Sequence, residues 1–268
     1  MDPSVCVVPA DPINDFLEAA RSRSNSDLSA YTDVVKEAMG DVPPVFFRPS
    51  YGDFFSHCAT TIRGWMPRVV VACAQTENSG SKALFSIWQR TKHQEASVGL
   101  LRHARDEERH SHLFLELAEA AFGKFFLDGF LSEIKSAFST IGRDIQKATA
   151  DFIDEPMLFD CLMQLNIVEV RTRLHLQFLA PAYYALTPPE KKSRVGNILT
   201  ALASDEDRHI TYTAELLDNW IREGNASRAA ALYACRLQDY NRHTLEHCDS
   251  AKHDYGQGKF PALFVDTN

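Results

Sequence analysis

Two stretches, "RHARDEERHSHL" at Arg102–Leu113 and "LASDEDRHITYT" at Leu202–Thr213, contain the same charged pentad, Asp-Glu-x-Arg-His. The first copy is Asp106–His110 and the second is Asp205–His209. Each is flanked by apolar residues recurring at three and four positions, which is the helical period. Residues three apart share a helix face. Glu107 therefore points with His110, and Glu206 with His209. A carboxylate oxygen and an imidazole nitrogen converging from one face make half of a metal site. Two such faces on two helices make most of a dinuclear one.

Helix geometry suggests where the remaining ligands lie. Antiparallel helices joined by a short turn bring residues equidistant from that turn to one height. The turn between the first two long helices falls near Lys92–His93. Glu77 lies about 15 residues before it and Glu107 about 15 after, so both share a level. Glu77 is also the only acidic residue of its helix. In the third helix, Glu169 stands alone in "LMQLNIVEVRTRLHLQFL". It precedes Pro181 by about 12 residues, while Glu206 follows Pro189 by about 17. That mismatch of about five residues, roughly 7 Å of helix, is left for the connecting loop to absorb.

Four carboxylates in one helical core cost several kcal/mol each to desolvate, and they repel one another. Two divalent cations cancel that charge, and a mixed carboxylate and imidazole set favours iron or manganese. Glu-x-x-His alone is common on solvated helix faces, where it forms surface ion pairs. The full pentad, twice, with a lone Glu on each preceding helix, points to a metal centre instead.

The wider sequence fits that setting. The chain has 268 residues, 45% of them hydrophobic, as expected for one large domain. Its formal charge of -8 and the lack of a Lys/Arg block argue against nucleic acid or an anionic membrane as main partner. Apolar runs such as Val69–Ala74 are too short to span a bilayer, and the N-terminus does not read as a secretory signal. The six cysteines (Cys6, Cys58, Cys73, Cys161, Cys235 and Cys248) show no CxxC spacing, in line with free thiols in a reducing cytoplasm.

The periodicity predicts an all-α fold of long helices with extra N- and C-terminal helices, which the family resemblance of the repeated pentad implies to be a ferritin-like four-helix bundle. Short helices are expected at about 11–22 and 27–39, then a loop over 40–53 with a helical turn or two after it. Long helices are expected at 67–92, 93–122, 152–180 and from 187–189 to 223, with a further helix within 124–147 as crossover. The third long helix is expected to stop before Pro181, and a last helix to cover 226–248 ahead of an irregular tail. Residues 1–66 would pack on the bundle, 67–223 form it, and 224–268 cap it, all as one domain.

With these residues placed, the chain resembles the ferritin-like di-iron carboxylate superfamily over about residues 67–222. The repeated D-E-x-R-H looks like the oxygenase branch, notably the hydroxylase subunits of methane and toluene monooxygenases, although the chain is about half their length. The resemblance implies iron ligands Glu77, Glu107, His110, Glu169, Glu206 and His209. It implies that Asp106 and Asp205 hydrogen-bond ligand imidazoles from outside, with Arg109 and Arg208 paired to them. His103 lies on the face of Glu107 and His110, so H-x-x-x-E-x-x-H also resembles the three-histidine site of p-aminobenzoate N-oxygenases. There the extra histidine belongs to the second motif, where this chain has Leu202. His103 is the candidate seventh ligand, and His175, off the ligand face, is expected to be structural or supporting.

These features lead to an expected function: an O2-activating di-iron oxygenase that hydroxylates or N-oxygenates a small molecule in cytoplasmic biosynthesis. It would need two Fe ions, with Mn an option at one, together with O2 and an external electron donor. A homodimer is compatible with the terminal helices. Small inward residues near Glu77 (Cys73, Ala74, Gly80 and Ser81) leave room for a substrate pocket, with Phe114, Tyr212 and Thr213 on its walls and Arg173 as an anion anchor. Salt bridging and core packing are the bland alternatives for these residues. The competing functions are an iron-handling ferroxidase and a di-iron oxidase such as an aldehyde-deformylating enzyme. "HTLEH" at His243–His247 matches an inverted zinc-protease motif but has too little chain after it for a further ligand; a surface helix end is expected.

Overall fold

The computed structural model describes residues 11–40, 43–138, 140–141 and 151–256. Among these the chain is all-α, with no strand. The helices are α1 (Pro12–Arg23), α2 (Ser29–Met39), α3 (Pro49–Thr61), α4 (Trp65–Arg90), α5 (Gln94–Phe122), α6 (Phe130–Ala137), α7 (Glu155–Leu186), α8 (Lys192–Trp220) and α9 (Ala226–Gly256). None is long and apolar enough to cross a membrane.

Local sequence sets the boundaries. Asp11 caps α1 and Asp154 caps α7, each accepting a backbone N–H three residues on, with proline in the first turn. Gly64 enters α4 at φ 83°, a left-handed conformation that glycine adopts without strain. Gly224, at φ 99°, breaks the chain between α8 and α9 inside a wide turn at Ile221–Asn225.

The four long central helices pack as two antiparallel pairs. α4 and α5 are joined by the short turn after Arg90, and their close approach is lined by small buried residues such as Ala74, Ser81, Ala96 and Ala104. α7 and α8 run antiparallel, so Phe159 near the start of α7 stacks on Trp220 at the end of α8, rings 4.6 Å apart. α5 packs against both α7 and α8, closing the core. α7 is apolar nearly all round, as a helix surrounded by neighbours must be. α1, α2, α3 and α9 lie against this core.

Asn166 ties four helices together. Its side-chain oxygen accepts the hydroxyls of Tyr31 on α2 (2.6 Å) and Tyr233 on α9 (3.0 Å). Its amide donates to the Thr213 hydroxyl (2.9 Å) and the Ile210 carbonyl (3.2 Å) on α8. Every one of these groups is buried, so each bond removes a desolvation penalty of about 1–3 kcal/mol.

Three boundaries differ from the sequence expectation. α3 is a full helix of 13 residues where a turn or two was expected. α7 continues through Pro181 to Leu186. Proline there costs one backbone bond, but the buried Leu179 and Tyr183 on either side hold the last turns in place. The loop is thus shorter, and the five-residue mismatch between Glu169 and Glu206 disappears. Glu169 stands 17 residues before Leu186, and Glu206 stands 17 after Pro189. Finally, α9 runs to Gly256, eight residues beyond the expected end at Cys248, so the first part of the expected irregular tail is helical. α6 occupies part of the expected crossover; residues 142–150 lie outside the described residues.

Candidate metal centre

The residues singled out from sequence meet in the core between α4, α5, α7 and α8. α4 supplies Glu77, α5 supplies His103, Glu107 and His110, α7 supplies Glu169, and α8 supplies Glu206 and His209. All seven are at most 8% exposed. Six of them offer ligand atoms in two overlapping groups, each within 4.8 Å: His103, Glu107, Glu169 and His209, and Glu77, Glu107 and His110.

Glu107 belongs to both groups. Its Oε1 is 3.2 Å from His103 Nε2, 3.5 Å from His110 Nδ1 and 3.6 Å from His209 Nδ1. Glu206 also reaches both, with Oε1 3.4 Å from His110 Nδ1 and Oε2 3.5 Å from His209 Nδ1. Glu169 lies 3.2 Å from His103 and 3.9 Å from His209. Gly80 leaves ordinary contact space beside Glu107, where a Cβ would sit 3.6 Å from its Oε2.

Each imidazole turns one nitrogen inward and is held by the other. His110 Nε2 donates to Asp205 (3.1 Å), and His209 Nε2 lies 3.4 Å from Asp106. The pairing is crosswise: the aspartate of each pentad holds the histidine of the other helix. Arg208 binds both aspartates at 2.6 Å. Arg109 binds Asp106 at 3.0 Å and Asp205 as well. His103 is held differently, by the Tyr212 hydroxyl 3.0 Å from its Nδ1, and it stacks on His209 at 3.6 Å.

The inward atoms provide a test of fit to metal. His103 Nε2, His110 Nδ1, His209 Nδ1, Glu107 Oε1 and both oxygens of Glu206 are buried, and none has a hydrogen-bond partner of proper geometry. Buried polar atoms are ordinarily satisfied. Six unsatisfied ones facing one another, each the lone pair of a metal-ligating group, fit cations in the space between them. The nitrogen and oxygen donor set, without thiolate, suits iron or manganese.

The titration behaviour has the same cause. Burial, then the neighbouring Glu107 charge, pushes Glu77 well above the usual carboxylate range. Burial, then Glu169, does the same to Glu206. For Glu107 burial acts upward too, but the Glu77, His103 and His110 side chains beside it favour its charged form and hold it well below. Burial also disfavours charge on His110 and His209, yet their carboxylate partners raise both to about 9. The metal-free cluster thus neutralises itself with protons that divalent ions would displace.

A cavity of about 530 Å³ reaches this cluster between α5 and α8. Its floor is His103, His209 and Tyr212, its walls include Val98, Gly99 and Leu216, and Glu95, Arg102, Arg208 and Glu215 add charges of both signs. The residues Asn25 and Ser26 also line it, on the loop after α1. That loop is tied to α8 where Ser24 donates to Glu215 at 2.7 Å.

Only one of the five residues expected at a substrate pocket lines this cavity, namely Tyr212. Arg173 does not offer a free cation, because its Nε bonds Asp207 at 2.9 Å in the interface with α1. Thr213 is spent on Asn166 and on the backbone of its own helix. Phe114 is in the core at 2% exposure. Cys73 is half-buried with its thiol pushed up to about 12 by burial, and it does not border the cavity. The small residues near Glu77 serve helix packing: Ala74 and Ser81 are buried along the tight α4–α5 contact. His175 bonds Tyr51 at 2.7 Å amid Phe55 and Phe178. In "HTLEH", His243 pairs with Glu246 at 3.2 Å on the exposed surface of α9, in mid-helix and not at its end.

Sequence reasoning missed the Asn166 network, the crosswise pairing and the α5–α8 cavity. Asn166 had a visible signal, an asparagine between Leu165 and Ile167 inside an apolar run. Gly99 had another, a glycine inside a helix, in the second turn of α5. Comparison with known proteins finds no matching family model, no similar curated protein and no similar solved structure.

Proposed function

We propose that this protein is a non-haem di-iron oxygenase of ferritin-like architecture, using O2 and an external electron donor to oxygenate a small molecule. The observation that carries the proposal is that His103 and His209, two members of the buried Glu/His cluster, form the floor of a cavity large enough for a small organic molecule. A centre built only to store iron has no need of such a cavity.

In this reading Glu77, Glu107 and His110 would hold one ion, and His103, Glu107, Glu169 and His209 the other, with Glu206 lying beside a histidine of each group. Iron there would supply the O2 chemistry that amino-acid side chains lack. The protein's own residues do the rest. Asp106 and Asp205 fix the tautomers of His209 and His110, leaving Nδ1 of each free to ligate. Arg109 and Arg208 neutralise those aspartates, so the outer groups add little net charge. Buried Leu216 gives the cavity an apolar wall, and Arg102 and Glu95 at its exposed edge offer polar anchors.

The test is oxygen uptake by iron-loaded, reduced protein in the presence of candidate small molecules. Substrate-dependent uptake with an oxygenated product is expected. Uptake that yields only a mineral iron product would replace this function with iron handling.

A further inference from the structure

We propose that Tyr212 is a positioning residue that couples the α5–α8 cavity to the metal centre. Its hydroxyl sets His103 as a ligand to one of the two ions, and its ring is a wall of the cavity, so an occupant that moves the ring loosens that ligand. This rests on the dinuclear reading above.

Three observations carry it. First, His103 turns a buried, partnerless Nε2 toward Glu107 and Glu169, each at 3.2 Å. A metal on Nε2 leaves the ring proton on Nδ1, where it is donated to the Tyr212 oxygen 3.0 Å away. Second, the three inward histidines are not held alike. His110 and His209 face aspartates, whereas His103 faces a neutral phenol. Charge-assisted bonds are roughly twice as strong as neutral ones, so His103 is the least firmly held of the three. Third, the Tyr212 ring lies against the bare backbone of Gly99, where an added Cβ would come within 2.6 Å of two ring carbons. Gly99 and Tyr212 both border the cavity. Pressure at this spot moves the ring, and the hydroxyl moves with it.

The cavity therefore opens onto one ion and not equally onto both. It meets the group containing His103 and His209, while Glu77 and His110 do not line it. The two ions should differ in affinity and in response to changes in the cavity.

The experiment uses the full chain loaded with Co2+, with release of each ion followed by chelator titration and visible absorption. Tyr212→Phe keeps the ring and removes the hydroxyl. It should weaken one of two ions by about 10–100-fold, the usual effect of losing an outer partner, and leave the other nearly unchanged. Gly99→Ala, which displaces the ring, should weaken the same ion and alter the same absorption bands. Tyr51→Phe removes a comparable Tyr–His bond at His175, outside the cluster, and should change neither ion. Unaltered affinities in Tyr212→Phe would overturn the proposal, as would an equal loss of both ions in all three variants. If the unsubstituted chain takes up fewer than two ions, the dinuclear reading itself fails. If it takes up two and Tyr212→Phe behaves like it, only the coupling fails.

Discussion

Glu206→Leu should change stability in opposite directions with and without metal. Glu206 is 1% exposed, and neither of its carboxyl oxygens has a hydrogen-bond partner. Burial and the nearby Glu169 push its carboxyl well above the usual carboxylate range in the metal-free protein, toward the neutral form. A buried unsatisfied polar group costs about 1–3 kcal/mol, and leucine fills a similar volume without one. The metal-free variant should therefore gain about 1–2 kcal/mol, a rise in Tm of roughly 2–8 °C for a chain of this size. With metal the sign reverses. Glu206 is 3.4 Å from His110 and 3.5 Å from His209, one in each ligand group. Its loss would leave the two ions of the proposed centre facing three carboxylates. A hundredfold weaker ion forfeits about 2.7 kcal/mol of binding-linked stability. Thermal unfolding with chelator and with excess Fe2+ under anaerobic conditions, together with metal analysis, reads both halves. Glu206→Ala should likewise lose half the metal or more. Glu246→Ala, in an exposed pair with His243, should leave metal content and both melting temperatures unchanged. A Glu206→Leu protein that binds two ions normally, or that loses stability equally in both forms, would refute the ligand assignment.

Asp205→Asn should weaken metal by about 10–100-fold and, because the pairing is crosswise, act through His110 on α5 and not through His209 on its own helix. Imidazole NMR signals of the two histidines, in the diamagnetic Zn2+ form, distinguish the routes. Metal affinity should rise with pH from about 6.5 to 9. His110 and His209 titrate near 9 in the folded, metal-free chain, above their unfolded value, so protonation stabilises that form fully below about 6.5 and less as pH climbs through 9. Ions must displace those protons, and an affinity for Co2+ that is flat across this window would contradict the cluster's proton inventory. Asn166→Leu strands the Tyr31 and Tyr233 hydroxyls and should cost about 2–5 kcal/mol in urea unfolding. A loss under 1 kcal/mol would mean that the network is not satisfying buried groups.

What could be read in advance followed from helix periodicity. The pentads place Glu107, His110, Glu206 and His209 on inward faces without any tertiary knowledge, and the short turn after Arg90 fixes the height of Glu77. Glu169 was harder, because proline was taken as a helix end. Its local cost is real, but burial of Leu179 and Tyr183 outweighs it, a balance invisible to local rules. The pocket was misread for a related reason. Being one turn beyond a ligand says that a residue faces the core, but not whether it meets open space or a neighbouring helix. Phe114 and Thr213 meet neighbours, and Tyr212 meets the cavity. The end of α9 was misplaced because residues 249–254 are mostly polar and exposed, while the pair between Asp254 and Arg68 of α4 is a tertiary contact that local rules do not register.

The crosswise bonds explain why the pentad is spelled twice. A single Asp-Glu-x-Arg-His cannot complete itself, because its aspartate reaches the histidine of the other pentad and not its own. Each arginine likewise spans both aspartates. The two motifs are thus one ring of interactions divided between α5 and α8, and neither helix holds its imidazole without the other. The ring also sits on the outer side of the ligands: Arg109 is half-exposed and Arg208 partly exposed, so its cations remain partly hydrated, while Asp205 is as buried as the acids behind it and is held charged by its His110 and arginine partners. A cluster that destabilises the metal-free fold is in this way held by groups that cost little to keep charged.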